Sequence, residues 1–254
     1  MNIPIKISED GVHKTYSFFG INIHKRISIN DQPYVRVAMF ANTVMKTHSK
    51  SFDKFKGILC DKEAALIATG PSLKQYKPIA NTVNIGVNKA FLFDNLTLDY
   101  LFIQDFLTKE YIYKLLDEKY ARIEKFLGIL PKKDIIIPES LSLKLNAHRY
   151  YTDECCKPHK FAYDISTSLL GDFCSVSFAA MQFILWTNPS KVYLVGCDCS
   201  SGYFDKTKST TSMNKLAKSW IMLKEFADTY YPDTQIISVN PVGLKGIFSD
   251  LYQQ

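Results

Sequence analysis

The sequence predicts an α/β protein: a mostly parallel sheet with helices on both faces, preceded by a small N-terminal hairpin and helix. Two observations carry that prediction. From residue 64 onward, short apolar runs alternate with stretches of helical length. The runs are apolar almost throughout, as strands covered on both faces are.

The first 56 residues differ from the rest. They hold nine Lys and Arg against four Asp and Glu, whereas the whole 254-residue chain carries only +6. "TYSFFGINIHKRISI" (15–29) reads as a hairpin or edge pair around Gly20, and "YVRVAMFANTVMKTHSKSF" (34–52) as a basic amphipathic helix. We expect residues 1–56 to form a basic extension and residues 57–254 the main domain. Such a leader suits an anionic partner: phospholipid headgroups at a membrane face, a phosphorylated acceptor or nucleic acid. A merely solvated charged face would read the same way.

Six segments read as short buried strands: "AALIAT" (64–69), "TVNIGV" (82–87), "DYLFIQ" (99–104), "DIIIP" (134–138), "KVYLVG" (191–196) and "QIISV" (235–239). Residues 108–127 place Ile112, Leu116, Tyr120, Ile123 and Leu127 at helical spacing, and Gly128 is suited to end that helix. Residues 172–187 form an almost wholly apolar helix stopped by Asn188-Pro189, and residues 213–230 an amphipathic one. Residues 139–165 show no period, and their Tyr, His and Cys content suggests a lid over a site.

Hydrophobic residues make up 46% and charged residues 22% of the chain, as in a soluble globular protein. No apolar run approaches the ~18 residues of a membrane span. The opening "MNIPIKISED" lacks the apolar core of a signal peptide, which points to the cytoplasm. The six cysteines form no CxxC pair, which argues against a zinc ribbon or a dithiol redox centre; buried free thiols explain them. No aromatic-basic RNA motif or recognised nucleic-acid module is present, so nucleic acid is the least supported partner.

The motif that carries chemistry is "AALIATGPSL". In an open α/β sheet, ligands sit beyond the carboxyl ends of the strands. Gly70 lets the backbone turn tightly, Pro71 suits the first helical position, and Ser72 with the free N–H groups of that turn would face a phosphate. Thr69, Gly70, Pro71 and Ser72 therefore read as a nucleotide cradle, although a plain strand–helix turn would look much the same. Other strand ends add polar groups to the same edge: Asn88, then Gln104 and Asp105, then Asp198, Ser200 and Tyr203. Thr167 and Ser168 precede the apolar helix.

"ATGPSL" with "GVNKAF", "STSLLGDFCSVSFAAMQFIL" leading into "KVYLVGCDCS", and "ISVNPVGLKGIF" resemble the bacterial family-42 sialyltransferases. They equally resemble the related domain-of-unknown-function-115 group, which includes motility accessory factors that glycosylate flagellin. The resemblance covers roughly residues 60–250. It implies a Rossmann-like glycosyltransferase of surface glycan synthesis that uses a CMP-activated sugar without metal. It also implies donor binding by Gly70, Pro71, Ser72 and Asn88, contacts of Thr167 and Ser168 with the sugar carboxylate or phosphate, and a Gly-x-Asp strand end at Gly196 and Asp198. Asn240 and Pro241 would hold the cytidine.

The residues support metal independence separately. The chain has no Asp-x-Asp pair to hold a hard cation. A CMP leaving group carries one phosphate, which hydroxyls, backbone N–H groups and a tyrosine such as Tyr203 or the Tyr150-Tyr151 pair could stabilise. One expectation fails in the sequence itself. The related transferases place a His base after the Gly-x-Asp strand, and here "CSSGYFDKTKSTTSMNKLAKSW" contains none. His148, His159, Asp105 and Asp198 are the remaining candidates for the base. Two alternatives stay open: a Mg-dependent pterin diphosphokinase, with Asp105 and Asp198 as ligands, and a non-catalytic nucleotide- or glycan-binding module.

Overall fold

The computed structural model describes residues 5–7, 13–18, 21–26, 34–104, 114–115, 118–129, 143–153, 158–200, 202–208 and 212–252, with side chains from residue 43 onward. Strands β1 (Ile5–Ile7), β2 (His13–Phe18) and β3 (Ile21–Arg26) form a small antiparallel sheet. Phe18 pairs with Ile21, the antiparallel pairing expected on either side of Gly20, which itself lies outside the described residues. Helix α1 (Tyr34–Phe52) follows.

The main sheet has eight strands, all parallel: β4 (Glu63–Ile67), β5 (Thr82–Val87), β6 (Tyr100–Ile103), β7 (Glu124–Ile129), β8 (Ala147–Tyr151), β9 (Lys191–Val195), β10 (Gln235–Val239) and β11 (Ser249–Asp250). Their spatial order is β11-β10-β9-β4-β5-β6-β7-β8. The chain therefore builds outward from β4 to β8, returns to the other side of β4, and builds outward again. That makes a doubly wound, Rossmann-like sheet whose order reverses between β4 and β9.

Helix α2 (Val176–Thr187) crosses one face, and every residue of it is buried. Ser175 caps its first turn, and Asn188 ends it in the left-handed conformation at φ 58°. Its one amide, Gln182, accepts from the N–H groups of Ala162 and Gly171, both at 2.9 Å, and donates to Phe178 O at 2.9 Å. Gln182 thus fastens the chain between β8 and α2 to the helix. We expect Gln182→Leu to orphan two buried N–H groups and to lower stability by about 2–4 kcal/mol in urea unfolding. Helix α3 (Met213–Tyr230) spans the residues expected of the amphipathic helix, burying Trp220, Leu223 and Ala227.

The C-terminal half of α1 is part of the body. His48 and Phe52 are fully buried, and Phe52 stacks on Phe126 within an aromatic cluster that includes Phe55, Phe102 and Phe183. The N–H at His48 Nε2 is shared by Ile165 O (2.9 Å) and Ser168 O (3.0 Å), and its Nδ1 accepts from Tyr151 N (3.1 Å). Among the described residues, no helix is long and apolar enough to cross a membrane.

Two expectations are corrected. Helical spacing over 108–127 does not mark one helix: a single turn at Glu118–Ala121 is followed by β7, and Gly128 sits inside that strand. Phe126 and Leu127 are both fully buried, packed into the cores on opposite faces of the sheet. A strand covered on both faces has no polar alternation to distinguish it. Likewise, residues 139–165 are not wholly a lid. They contain β8, which pairs Lys125 with Ala147 through Ile129 with Tyr151. "DIIIP", Ile112 and Leu116 lie outside the described residues.

Candidate active site

The site is built where β4 and β9 part. After β4 the chain runs Ala68-Thr69-Gly70 into a short 3-10 turn, Pro71–Gln75. After β9 it runs Gly196-Cys197-Asp198. The two strand ends are stitched together: Ala68 N donates to Val195 O, and Gly70 N to Gly196 O, both at 2.8 Å. Close approach dictates the glycines. A Cβ on Gly70 would lie 2.5 Å from Gly196 O and 2.7 Å from Asp198 Cγ, and Gly196 has φ +64°.

Asp198 holds this junction. It is 4% exposed, and its Oδ2 accepts from Ser72 N at 2.7 Å while its Oδ1 accepts from Ser72 Oγ. Its own carbonyl takes Gly243 N at 2.8 Å, which ties in the loop after β10. Two expectations change as a result. Both carboxylate oxygens of Asp198 accept from Ser72, so the carboxylate ties the β9 end to the turn after β4. Ser72 does not offer its N–H or its hydroxyl proton to a phosphate, because Asp198 takes both. The turn is also five residues of 3-10 helix, too short for an aligned helix dipole.

Beside the junction lies a cavity of about 540 Å³, lined by Pro71, Ser72, Gln75, Asp198, Ser200, Asn240, Pro241, Val242, Asp250 and Tyr252. A smaller recess of about 90 Å³ adjoins it, bounded by Thr69, Gly70, Gly196, Tyr203 and Trp220 among others. Among the described residues, no Lys or Arg lines either space. Burial pushes Cys197 well above its ordinary range, and burial with the neighbouring Asp198 charge lifts Cys199 to about 11.

The loop after β9 folds back over the junction. Phe204 N donates to Thr69 O at 2.8 Å, and Lys89 Nζ meets Asp205 at 2.9 Å and Thr207 Oγ1 at 3.1 Å. Lys89 also lies 5.2 Å from the centre of the Tyr203 ring. Burial alone would raise the Asp205 carboxyl, but the hydrogen bonds from Thr207 and Lys89 outweigh it and hold it at about 2.

Farther along the same edge, Asn88 ends β5 with φ 45°, and its Oδ1 accepts from Gln104 N at 3.1 Å. Gln104 Nε2 reaches Asp172 at 3.4 Å, Asp172 N donates to Asp153 Oδ1 at 2.5 Å, and that same oxygen meets His159 Nδ1 at 2.8 Å. A line of polar groups thus runs along the carboxyl ends from β5 to β8. His159 Nε2 has no partner among the described residues. A carboxylate on Nδ1 with Nε2 open is an arrangement that a general base can use, and His159 lines neither of the two spaces. Asp153 was not legible as its partner, since nothing in "YYTDECC" marks one Asp as a His orienter.

The other expected residues lie elsewhere. His148 is the second residue of β8, at the amino edge, where its Nε2 contacts Glu124 at 2.7 Å. That edge is opposite the cavity, because strand pairing and not a lid fixes its place. Thr167 and Ser168 lie on the turn after Asp164, beyond β8, and line neither space. Tyr150 is fully buried, with its hydroxyl 3.4 Å from Gln104 Oε1. Asp105 lies outside the described residues. Gln75, Val242, Asp250 and Tyr252 line the cavity without having been expected.

Sheet order, switch point and crevice define a doubly wound α/β domain with a cavity at the β4/β9 strand ends, the edge where ligands sit in such sheets. No family model and no curated protein matches the chain. It shares its fold with the MAf glycosyltransferase of Magnetospirillum magneticum AMB-1: TM-score 0.50, 12% identity, 87% of this chain covered. The chain spans 42% of that protein. The sialyltransferase CstII of Campylobacter jejuni, solved with the substrate analogue CMP-3FNeuAc, aligns at TM-score 0.44 and 16% identity over 70% of this chain and 80% of its own. A mutant of that α-2,3/8-sialyltransferase gives 0.42 and 15% over 70% and 81%.

Proposed function

We infer that this chain is a glycosyltransferase domain of surface polysaccharide or glycoconjugate synthesis. It takes a sugar from a nucleotide donor, CMP-linked, and passes it to a glycan or lipid-linked acceptor. The observation that carries this reading is the cavity of about 540 Å³ at the switch point, where Gln75, Ser200 and Asn240 stand beside the carboxylates of Asp198 and Asp250 and no Lys or Arg among the described residues lines the space. A triphosphate in such a space would go uncompensated, whereas a donor with a single phosphate needs little countercharge. Gln75, Ser200 and Asn240 are the neutral groups available to it. A fold shared with a glycosyltransferase supports the same reading.

The transfer is metal-independent and inverting in this proposal. The acceptor oxygen bonds to the anomeric carbon, the bond from that carbon to the phosphate oxygen breaks, and CMP leaves. His159 Nε2 takes the acceptor proton, with Asp153 fixing the ring through Nδ1. A magnesium ion on Asp198 would compete with the two hydrogen bonds it accepts from Ser72, and this weighs against the diphosphokinase. The basic residues 1–56 would carry the domain to an anionic inner membrane face.

The test is CMP release from a CMP-activated nonulosonic sugar, run with a crude surface-glycan acceptor in the presence of EDTA. Turnover should persist in EDTA. His159→Ala should lower kcat by roughly 10²–10⁴-fold and leave CMP affinity unchanged. CMP binding without turnover would favour the binding module, and a requirement for magnesium with ATP would favour the diphosphokinase.

A further inference from the structure

We propose that the outer end of the cavity holds the nucleobase, and that Asp250 there selects cytosine over uracil. The proposal rests on the nucleotide-donor reading above and names the part of the site that decides which donor enters. Seven large apolar side chains are exposed among the described residues, and two of them, Val242 (54%) and Tyr252 (65%), line this cavity. An exposed Tyr and Val at one cavity end suit the flat face of a base. Asp250 closes β11 at the sheet margin, paired with Ser238 of β10. Its Oδ1 accepts Tyr252 N at 3.1 Å, which fixes the side chain, and Oδ2 meets no donor among the described residues.

The layout orders the ligand. Pro71 and Ser72 follow β4, and Asp250 ends β11, three strand spacings away, or about 14 Å. His159 stands toward β8, on the other side of β4. With its phosphate near the β4 and β9 ends, where ligands sit in such a sheet, a donor that runs toward the margin has its base at β11. There the exocyclic amine of cytosine can donate to Asp250 Oδ2. Uracil turns a carbonyl oxygen to the same carboxylate, so lone pairs oppose a negative charge. A carboxylate could instead hold ribose hydroxyls or the amide edge of guanine, and the experiment separates these.

Affinities of the full chain for CMP, UMP and GMP are measured by calorimetry, for wild type, Asp250→Asn and Tyr252→Ala, with circular dichroism as the check on folding. CMP should bind roughly tenfold or more tighter than UMP. Asp250→Asn should erase that preference, and Tyr252→Ala should weaken both nucleotides alike. Equal wild-type affinity for CMP and UMP overturns the base assignment alone. So does an equal loss of both in Asp250→Asn, which would put the carboxylate on the ribose, or tighter binding of GMP. Binding of none of the three overturns this proposal and the donor reading together.

Discussion

Asp198→Ala is expected to lower the stability of the domain by about 3–5 kcal/mol and to abolish nucleotide binding. The carboxylate is buried and accepts from both the backbone N–H and the hydroxyl of Ser72. Removing it leaves two desolvated donors without acceptors, each worth about 1–3 kcal/mol. Typical domains have only 5–15 kcal/mol in all, so the effect is a large share. Ser72→Ala alone should cost less, and in a double-mutant cycle the pair should couple by roughly 1–3 kcal/mol. Urea unfolding measures all four corners. An Asp198→Ala loss below about 0.5 kcal/mol, or additive single mutants, would mean that the junction does not depend on this contact.

The second large effect is set by pH and lies at His48. Burial pushes its pKa from 6.5 down to about 4, against the hydrogen bonds it gives to Ile165 O and Ser168 O. In the folded chain the ring is neutral, with its proton on Nε2 and Nδ1 accepting from Tyr151 N. Below pH 6.5 the unfolded chain takes up a proton that the folded chain refuses. The stability contributed by His48 is therefore complete above about pH 6.5, falls as the pH drops toward 4, and amounts to about 3 kcal/mol. Carboxylates titrate over part of the same range, so the informative quantity is a difference. Wild type minus His48→Leu, followed by urea unfolding from pH 7 to 4.5, should shrink steadily as the pH falls. Parallel curves would show that His48 titrates normally in the folded state.

The sheet was largely legible because its strands are apolar runs bounded by turns, and five of the six expected strands lie where the runs do. Three strands of the sheet escaped: β11 is only two residues long and leaves no run, and the other two escaped for opposite reasons. β7 is buried on both faces, so Ile123 and Leu127, four apart, mimicked a helix stripe. β8, "AHRYY", spends its polar first half at the amino edge and buries only Tyr150 and Tyr151, leaving no run to detect. The site was legible as types of residue at strand ends, and not as a network. Gly70, Ser72 and Asp198 stand out in sequence, but nothing there says that Asp198 saturates Ser72 from 126 residues away. Asp250 and Tyr252 escaped because a carboxylate and an aromatic near a strand end match no motif. Their role exists only once β11 lies beside the cavity.

The reversal of strand order also constrains how this chain is made. β4 is the centre of the sheet, yet one of its two neighbours is β9, whose first residue pairs with a β4 residue 128 positions earlier. At roughly 5–20 residues per second, the ribosome needs roughly 6–25 s to deliver that neighbour. For all of that time Glu63–Ile67 can pair on one side only, and its apolar edge stands open to another nascent chain. The interval between β4 and β9 is therefore when the protein is most exposed to misassembly. Nascent chains arrested before residue 191 should be the ones that most need a chaperone.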